Sequence, residues 1–353
     1  MELFLASVVL GIVPMVVYAL IIWRLDRWEK EPFPLMLAAF FWGAVPSVIF
    51  ALIAQVILGI SPGNGGEVSL TGELYEASIV APLTEEFIKG LGVLLIFILF
   101  RREIDSVLDG LIYGSMVGFG FSAVENILYF SGQPDFGSLI FLFFLRAFIF
   151  GMLHALFTGL SGVGFALGKF SSNPLMKFLW PALGIGTAMA THALHNYFAT
   201  LGGEHLLYAV GGIGLGLIWF VVTLLVCLSH ENRWIRIHLS EEVERGVLYA
   251  EQAVHAAGFW TRSSLNAFSQ GFGVFHQRKR LLHEATELAY QKQKLSRFGS
   301  NPEREDLVVQ LREKVRALSR LDPLVISGVI QPGKRLPPPL PPTRRMPPPL
   351  PVG

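Results

Sequence analysis

Ionisable side chains stand inside long apolar stretches of this sequence, where a membrane-crossing helix normally has none. The candidate site residues are Glu85, Glu86, Glu125, His154, His192 and Asn196. A charged side chain costs about 2.5–3.5 kcal/mol to insert at the centre of a bilayer, so such residues usually serve function. They are few and fall in four separate apolar stretches, which predicts one site built from several helices.

Spacing indicates which of these side chains can meet. Residues three and four apart share one face of a helix. Lys89 lies four residues after Glu85 and three after Glu86, so it can neutralise one carboxylate while the other points inward. We expect Lys89 to face Glu85, which makes Glu86 the first choice for activating water. His192 and Asn196 are four residues apart and share a face.

Peptide-bond hydrolysis would use such a set. It needs a base that activates water, donors for the oxyanion and an acid for the leaving amine. Adjacent carboxylates can take and return a proton, while His and Asn side chains orient water and stabilise the oxyanion. Alternatively, His154 and His192 with a carboxylate could hold a zinc ion that activates water. The zinc motif HExxH is absent from the sequence, which slightly favours the metal-free glutamate mechanism.

Composition predicts the elements that must position these residues. The 353-residue chain is 52% hydrophobic and only 16% charged, whereas a soluble domain has roughly 25% charged residues. Apolar stretches of about 20 residues can cross the hydrocarbon core. We predict an all-α bundle of about seven transmembrane helices, over residues 3–23, 34–60, 74–100, 107–130, 139–167, 178–201 and 206–228. The fifth is long enough to be tilted or broken.

The loops predict the orientation. Lys and Arg occur in loops one, three and five and after the last span, and are absent from loops two, four and six. The positive-inside rule then places the N-terminus outside and the C-terminus in the cytosol. At about 1.5 Å per residue, Glu125 and His192 lie about 10–13 Å below the outer surface, and Glu85 and His154 about 15–20 Å below it. The polar groups therefore gather in the outer half of the bilayer.

The chain changes character after the last span. We predict three domains: a transmembrane domain over 1–230, a cytosolic helical region over 231–330, and a disordered Pro-rich tail over 331–353. Asn301-Pro302 is typical of a helix start. The PxxPxR pattern of Pro339, Pro342 and Arg344 matches segments that dock into aromatic grooves, so the tail is a candidate partner site. A net charge of +1 argues against nucleic-acid partners.

The motifs that contain these residues resemble those of a known protein family. The sequence is similar to the PrsW family of intramembrane proteases, related to the CAAX prenyl protease superfamily, over about residues 1–230. The resemblance rests on the loop 26–32, the EExxK motif at Glu85, the FxxxE motif ending at Glu125, and the HxxxN motif at His192. It implies an endopeptidase whose site residues are Glu85, Glu86, Glu125, His192 and Asn196, with His154 added. It also implies a single-pass membrane protein as substrate, such as an anti-sigma factor cut on the outer side of a bacterial plasma membrane.

Other interpretations stay open at this point. Intramembrane Glu and His chains also relay protons in coupled transporters, although no internal repeat is visible. A membrane scaffold that recruits partners through its tail is a third possibility. Glu85–Lys89 and Glu125–Arg146 can each be structural ion pairs, and His195 is more simply a neighbour of the site than a member.

Overall fold

The structure, a computed structural model, describes residues 1–26, 28, 30–59, 69–258, 272–299 and 301–330. Every regular element among these residues is helical, which confirms the all-α prediction. The chain divides into two compact units, the first of residues 1–25 and 31–227 and the second of residues 26–30 and 228–353. The division falls close to the predicted boundary at residue 230. The predicted Pro-rich tail lies outside the described residues.

The first unit contains helices α1 to α9 and the start of α10. Their bounds are α1 Glu2–Leu25, α2 Phe33–Trp42, α3 Val48–Gly59, α4 Leu70–Tyr75, α5 Ala81–Leu99, α6 Val107–Ser131, α7 Phe136–Phe144, α8 Leu153–Phe170, α9 Pro174–Leu201 and α10 Leu206–Glu244. The unit also has three π-helical segments in its described part. Gly43–Ser47 joins α2 to α3, Glu76–Val80 joins α4 to α5, and Leu145–Ile149 extends α7. A π turn holds one residue more than an α turn, and such turns are frequent at functional sites.

Five helical stretches in the described part of the chain are long and apolar enough to cross a membrane. They are Glu2–Leu25, Phe33–Leu58, Val107–Ser131, Phe136–Phe170 and Gly203–Glu244. They coincide with five of the seven predicted spans and confirm a polytopic membrane protein. The other two predicted spans are also helical, over 70–99 and Pro174–Leu201, and they carry most of the candidate site residues. The number seven and the orientation stay predictions.

Helices α6 and α8 pack in close contact because glycines remove side chains from their interface. A Cβ atom on Gly110, Gly114 or Gly118 would lie 2.3–2.5 Å from a backbone carbonyl oxygen of α8. Small residues at every fourth position allow this close backbone approach between membrane helices. For Gly118 the facing carbonyl is that of His154. The glycine row therefore brings His154 against the helix that carries Glu125.

The cationic loops meet at one end of this bundle. Ser106 and Asp109 form a capping box that starts α6, with Asp109 Oδ2 accepting from the Ser106 amide at 2.8 Å. Lys169 at the end of α8 donates to the backbone carbonyls of Arg101 and Ile104, at 2.6 and 2.5 Å. Loop three, which follows α5, and loop five, which follows α8, thus lie together. Glu125 and His192 lie nearer to the opposite helix ends.

The second unit is a smaller helical assembly. Beyond α10 it contains α11 Ala250–Ala257, α12 Phe272–Phe298, α13 Pro302–Arg320 and α14 Pro323–Ile326. Asn301 caps α13 by accepting from the Glu303 amide at 2.9 Å, as the Asn-Pro pair predicts. Fully buried Glu242 accepts from Arg312 and Lys292 at 2.8 Å each. This polar cluster joins α10, α12 and α13.

Candidate active site

A buried carboxylate–ammonium pair on α5 forms the centre of the site. Both Glu86 and Lys89 have no solvent exposure, and Lys89 Nζ lies 2.5 Å from Glu86 Oε1. The same oxygen lies 3.0 Å from Nδ1 of His192 on α9, so this nitrogen carries a proton and donates it. Thr158 on α8 donates to the other oxygen at 3.1 Å. Both oxygens of Glu86 are therefore occupied, and the pair links three helices.

Glu85, the neighbouring carboxylate, is far less occupied. Gln55 on α3 donates to its Oε1 at 3.1 Å. Its Oε2 is buried and accepts no hydrogen bond among the described residues, and Lys89 Nζ stands 3.6 Å away. The expectation that Lys89 faces mainly Glu85 was therefore wrong, because the residue three positions before the lysine approaches it more closely. Glu86 was ranked first for activating water because of that expected contact, so the ranking loses its basis.

His154 connects this centre to a second ion cluster. Its Nδ1 lies 3.1 Å from Lys89 Nζ and accepts, because an ammonium group can only donate. Its Nε2 then carries the proton and donates to Glu125 Oε2 at 2.8 Å. Arg146 forms an ion pair with the same Glu125 oxygen and donates through Nε to Asn126 at 2.7 Å. Glu125 is thus both the partner of Arg146 and the residue that orients His154.

A break in the fifth predicted span positions Arg146 and His154. Arg146 lies in the π segment Leu145–Ile149, where the Phe150 amide donates to the Leu145 carbonyl at 2.8 Å. The helix stops there and restarts as α8 at Leu153. Arg146 and His154 would be about 12 Å apart along a regular helix. Both side chains nevertheless contact the same oxygen of Glu125.

Asn196 supports the backbone of the site. The Ala81 amide donates to Glu76, five residues back, and Pro82 has no amide hydrogen. Neither residue can therefore serve the carbonyl of Ala77, and Asn196 Nδ2 donates to it at 2.8 Å. The structure thus engages the Asn196 amide donor with the main chain just before the Glu pair. One Nδ2 hydrogen thus positions the backbone, and the role of the second in stabilising an oxyanion stays a prediction.

Two cavities border the cluster. One has a volume of about 390 Å³ and is lined by side chains that include Glu125, Arg146, His154, His192 and His195. The other has a volume of about 650 Å³ and is lined by Gln55, Glu73 and Glu76 with the apolar Leu52 and Val56. Ala77 and Thr200 line both cavities, so the two adjoin at this point. Space for a peptide therefore exists on both sides of the Ala77–Thr200 boundary.

The donor atoms of the cluster suit a metal ion. Glu85, Glu86, His154 and His192 each offer one ligand atom, and these atoms lie within 4.8 Å of one another. Imidazole nitrogens and carboxylate oxygens are the usual protein ligands of catalytic zinc. Oε2 of Glu85 accepts no hydrogen bond from the described residues, so it is available as a metal ligand. Lys89 contacts Glu86 and His154, so its ammonium group and a metal ion would compete for these two residues.

The structure brings together all six predicted residues, places Lys89 between the carboxylates and the imidazoles, and adds Gln55 and Thr158, which sequence reasoning did not place in the site. Lys89 lies among the acidic and imidazole groups, with its Nζ 4.1 Å from the Phe121 ring centroid. Gln55 and Thr158 bind the two carboxylates. Gln55 is an amide within an apolar stretch, and Thr158 follows His154 by one helical turn. Each of these was a usable sequence signal.

Comparison with known proteins identifies the family of this chain. A family model described as the PrsW family of intramembrane metalloproteases matches residues 31–227. Protease PrsW of Geobacillus kaustophilus (strain HTA426) is 28% identical over 170 residues, covering 48% of this chain and 70% of the relative. Protease PrsW of Bacillus subtilis (strain 168) is 24% identical over 190 residues, covering 54% and 81%. No solved structure matches the chain significantly.

The matched segment includes every candidate site residue and more than half of the chain. It ends close to the boundary of the first compact unit, and residues 228–353 lie outside it. These matches support neither the transporter nor the scaffold interpretation. The chain belongs to the PrsW family and is an intramembrane protease.

Proposed function

We propose that this protease cleaves a single-pass, membrane-anchored protein near the outer face of a bacterial plasma membrane. The cut would be the first step of a regulated proteolysis, such as that of an anti-sigma factor. The observation that carries the proposal is the buried cluster of two carboxylates, two imidazoles and one ammonium group beside two cavities in an otherwise apolar bundle. The predicted loop orientation supports the outer location.

Glu85 is the carboxylate best placed to activate water. Its Oε2 is buried and accepts no hydrogen bond from the described residues, whereas both oxygens of Glu86 are occupied. A water molecule that donates to this oxygen would lose its proton to Glu85 as its own oxygen attacks the scissile carbonyl carbon. The same proton then passes from Glu85 to the leaving amine. The carboxylate ends each cycle in its starting state.

The other residues hold the charges of this reaction in place. Lys89 stands 3.6 Å from Glu85 Oε2 and can stabilise the negative charge that develops on the substrate oxygen as Glu85 takes the proton. Glu86 fixes Lys89, and Thr158 and His192 fix Glu86. Preorganised groups of this kind need little rearrangement during the reaction.

A zinc ion would use the same residues. His154, His192 and Glu86 would hold it, and a bound zinc ion supplies a Lewis acid and a more acidic water molecule. Glu85 would keep its role as proton acceptor in this form as well. Glu125 orients His154 in both forms through the 2.8 Å hydrogen bond to Nε2.

The larger cavity offers the substrate a route from the lipid. Leu52 and Val56 on α3 line it, and both are largely exposed on the apolar surface of the bundle. Gln55, on the same wall, hydrogen-bonds to Glu85. A substrate segment entering between α3 and α9 would therefore meet the Glu85 carboxylate first.

The test is cleavage of a single-span reporter by the purified full-length protein in liposomes. The reporter carries an outer juxtamembrane segment selected for cleavage by the wild type. We expect Glu85→Gln, Glu86→Gln and His192→Ala to abolish cleavage. Glu204→Gln is the matched control, because Glu204 is exposed and lies outside the cluster. Wild-type rates in all three variants would contradict the proposed site.

A chelator arm separates the two forms of the mechanism. Loss of cleavage after chelation, with recovery on adding zinc, would identify the metal form. Cleavage that withstands prolonged chelation would identify the metal-free glutamate form. Zinc content measured before and after treatment gives a readout that does not depend on activity.

A further inference from the structure

His195 has a polar atom that the reaction described above does not use. It lines the smaller cavity together with His154 and His192. His154 uses both ring nitrogens within the cluster, and Nδ1 of His192 binds Glu86. Nδ1 of His195 is buried and has no hydrogen-bond partner in the part of the chain that the structure describes. A buried, unsatisfied polar atom costs about 1–3 kcal/mol, so its retention calls for an explanation.

Aromatic packing holds the His195 ring. The ring of Phe150 lies 5.3 Å from it at an interplanar angle of 64°. The ring of Phe157 lies 6.4 Å away at 48°, and it also stacks on His192 at 4.7 Å and 15°. Because these contacts are apolar, they fix the ring without using Nδ1. The nitrogen stays available to a bound molecule.

An extended peptide in this cavity needs polar partners for its main chain. Each residue carries an amide hydrogen and a carbonyl oxygen, and leaving either unpaired away from water is costly. Much of the cavity wall is apolar, including Leu142, Leu145, Phe150 and Leu153. The unpaired nitrogen of His195 can accept from a peptide N–H or, in the other tautomer, donate to a peptide carbonyl.

We infer that Nδ1 of His195 forms a hydrogen bond with the backbone of the bound substrate beside the scissile bond. His195 is then a substrate-binding residue of the protease, one helical turn from His192. The inference rests on the proposed function and requires in addition that the bound peptide extends from the larger cavity past Ala77 and Thr200 into the smaller one. It predicts an effect on substrate binding more than on the chemical step.

The experiment compares three substitutions in the same liposome cleavage assay and with the same reporter. The amide of Asn can occupy the position of Nδ1, whereas the amide of Gln reaches toward the position of Nε2. We expect His195→Phe and His195→Gln to raise KM about tenfold, the effect of losing one buried hydrogen bond, with kcat within about twofold of wild type. His195→Asn should restore KM to within about threefold.

Controls separate binding from folding. His205→Phe is the matched control, because His205 lies outside the residues that line either cavity. His195→Asn and His195→Gln both introduce a polar amide at the same position. A difference in KM between these two variants therefore reflects the position of the amide and not a general loss of structure. The unfolding temperature in detergent is measured for every variant.

Two results would overturn the inference. Equal KM values for His195→Asn and His195→Gln would show that the Nδ1 position is not used. A KM for His195→Phe within about twofold of wild type would show that the nitrogen is not needed. If the wild type itself cleaved no reporter, the proposed function would fail and this inference with it. Normal wild-type cleavage with unchanged KM values would remove this inference alone.

Discussion

The two adjacent glutamates should differ in what they contribute to stability, although we expect the loss of either to abolish cleavage. Glu86→Gln removes the charge that holds the fully buried Lys89 ammonium at 2.5 Å. Glu85→Gln makes the same chemical change one residue away, at a carboxylate whose Oε2 accepts no hydrogen bond from the described residues. The pair of variants therefore provides its own matched control.

The expected magnitudes follow from the contacts. Breaking a buried ion pair by removing one partner costs about 3–5 kcal/mol, because the other charge is left uncompensated. Lys89 keeps its longer 3.6 Å contact with Glu85, so we expect the lower end, about 3 kcal/mol, for Glu86→Gln. Glu85→Gln keeps an amide oxygen for Gln55 and should cost about 1 kcal/mol. The difference of about 2 kcal/mol is about 30-fold in the unfolding equilibrium constant.

The assay is reversible unfolding of the purified protein in mixed micelles, followed by tryptophan fluorescence and circular dichroism, beside the reporter cleavage assay. We expect Glu85→Gln to fold almost normally and yet cleave at least about 100-fold more slowly, the usual loss for a general base. Equal stability of the two variants, or a larger loss for Glu85→Gln, would refute the assignment of Lys89 to Glu86.

Three further predictions concern the residues that position the site. Gly118→Ala should lower both the unfolding temperature and the cleavage rate, because the added Cβ would lie 2.3 Å from the His154 carbonyl oxygen. Gly186→Ala is the control and should change neither, because a Cβ there would meet no neighbouring atom of the described residues within 4 Å. Asn196→Ala should destabilise the protein by about 1–3 kcal/mol, because the Ala77 carbonyl loses its donor. The same substitution should cost less in a Pro82→Ala background, where residue 82 regains an amide hydrogen. A double-mutant cycle measures this difference. Arg146→Lys should slow cleavage moderately, since it loses the planar pairing with Glu125 and Asn126; near-wild-type kinetics would contradict this.

The membrane fold was predictable because its cause is local. A stretch of apolar residues must cover its own backbone hydrogen bonds in lipid, and only a helix does so within one segment. The helix limits of α1 and α6 therefore agree with the predicted spans to within a few residues. The end of α10 did not follow from hydropathy, because the helix continues through Glu244 after the apolar stretch has ended.

The residues of the candidate site were also visible in the sequence. Charged and polar side chains in apolar stretches are costly, so each one marked a position to explain. The break of the fifth span at Arg146 was only a possibility from its length. Its position depends on a π turn, which residue spacing does not reveal.

The sequence by itself determined that this protein is a helical membrane protein with carboxylate, imidazole and amide groups on different helices, and its motifs indicated the protease family. Only the tertiary structure decided which partner each group has. Lys89 can reach either glutamate from its own helix. Packing of α8 and α9 places Thr158 and His192 on Glu86, while Oε2 of Glu85 accepts no hydrogen bond from the described residues. Helical spacing restricts the contacts within one helix, whereas contacts between helices depend on how closely the glycine rows let the backbones approach.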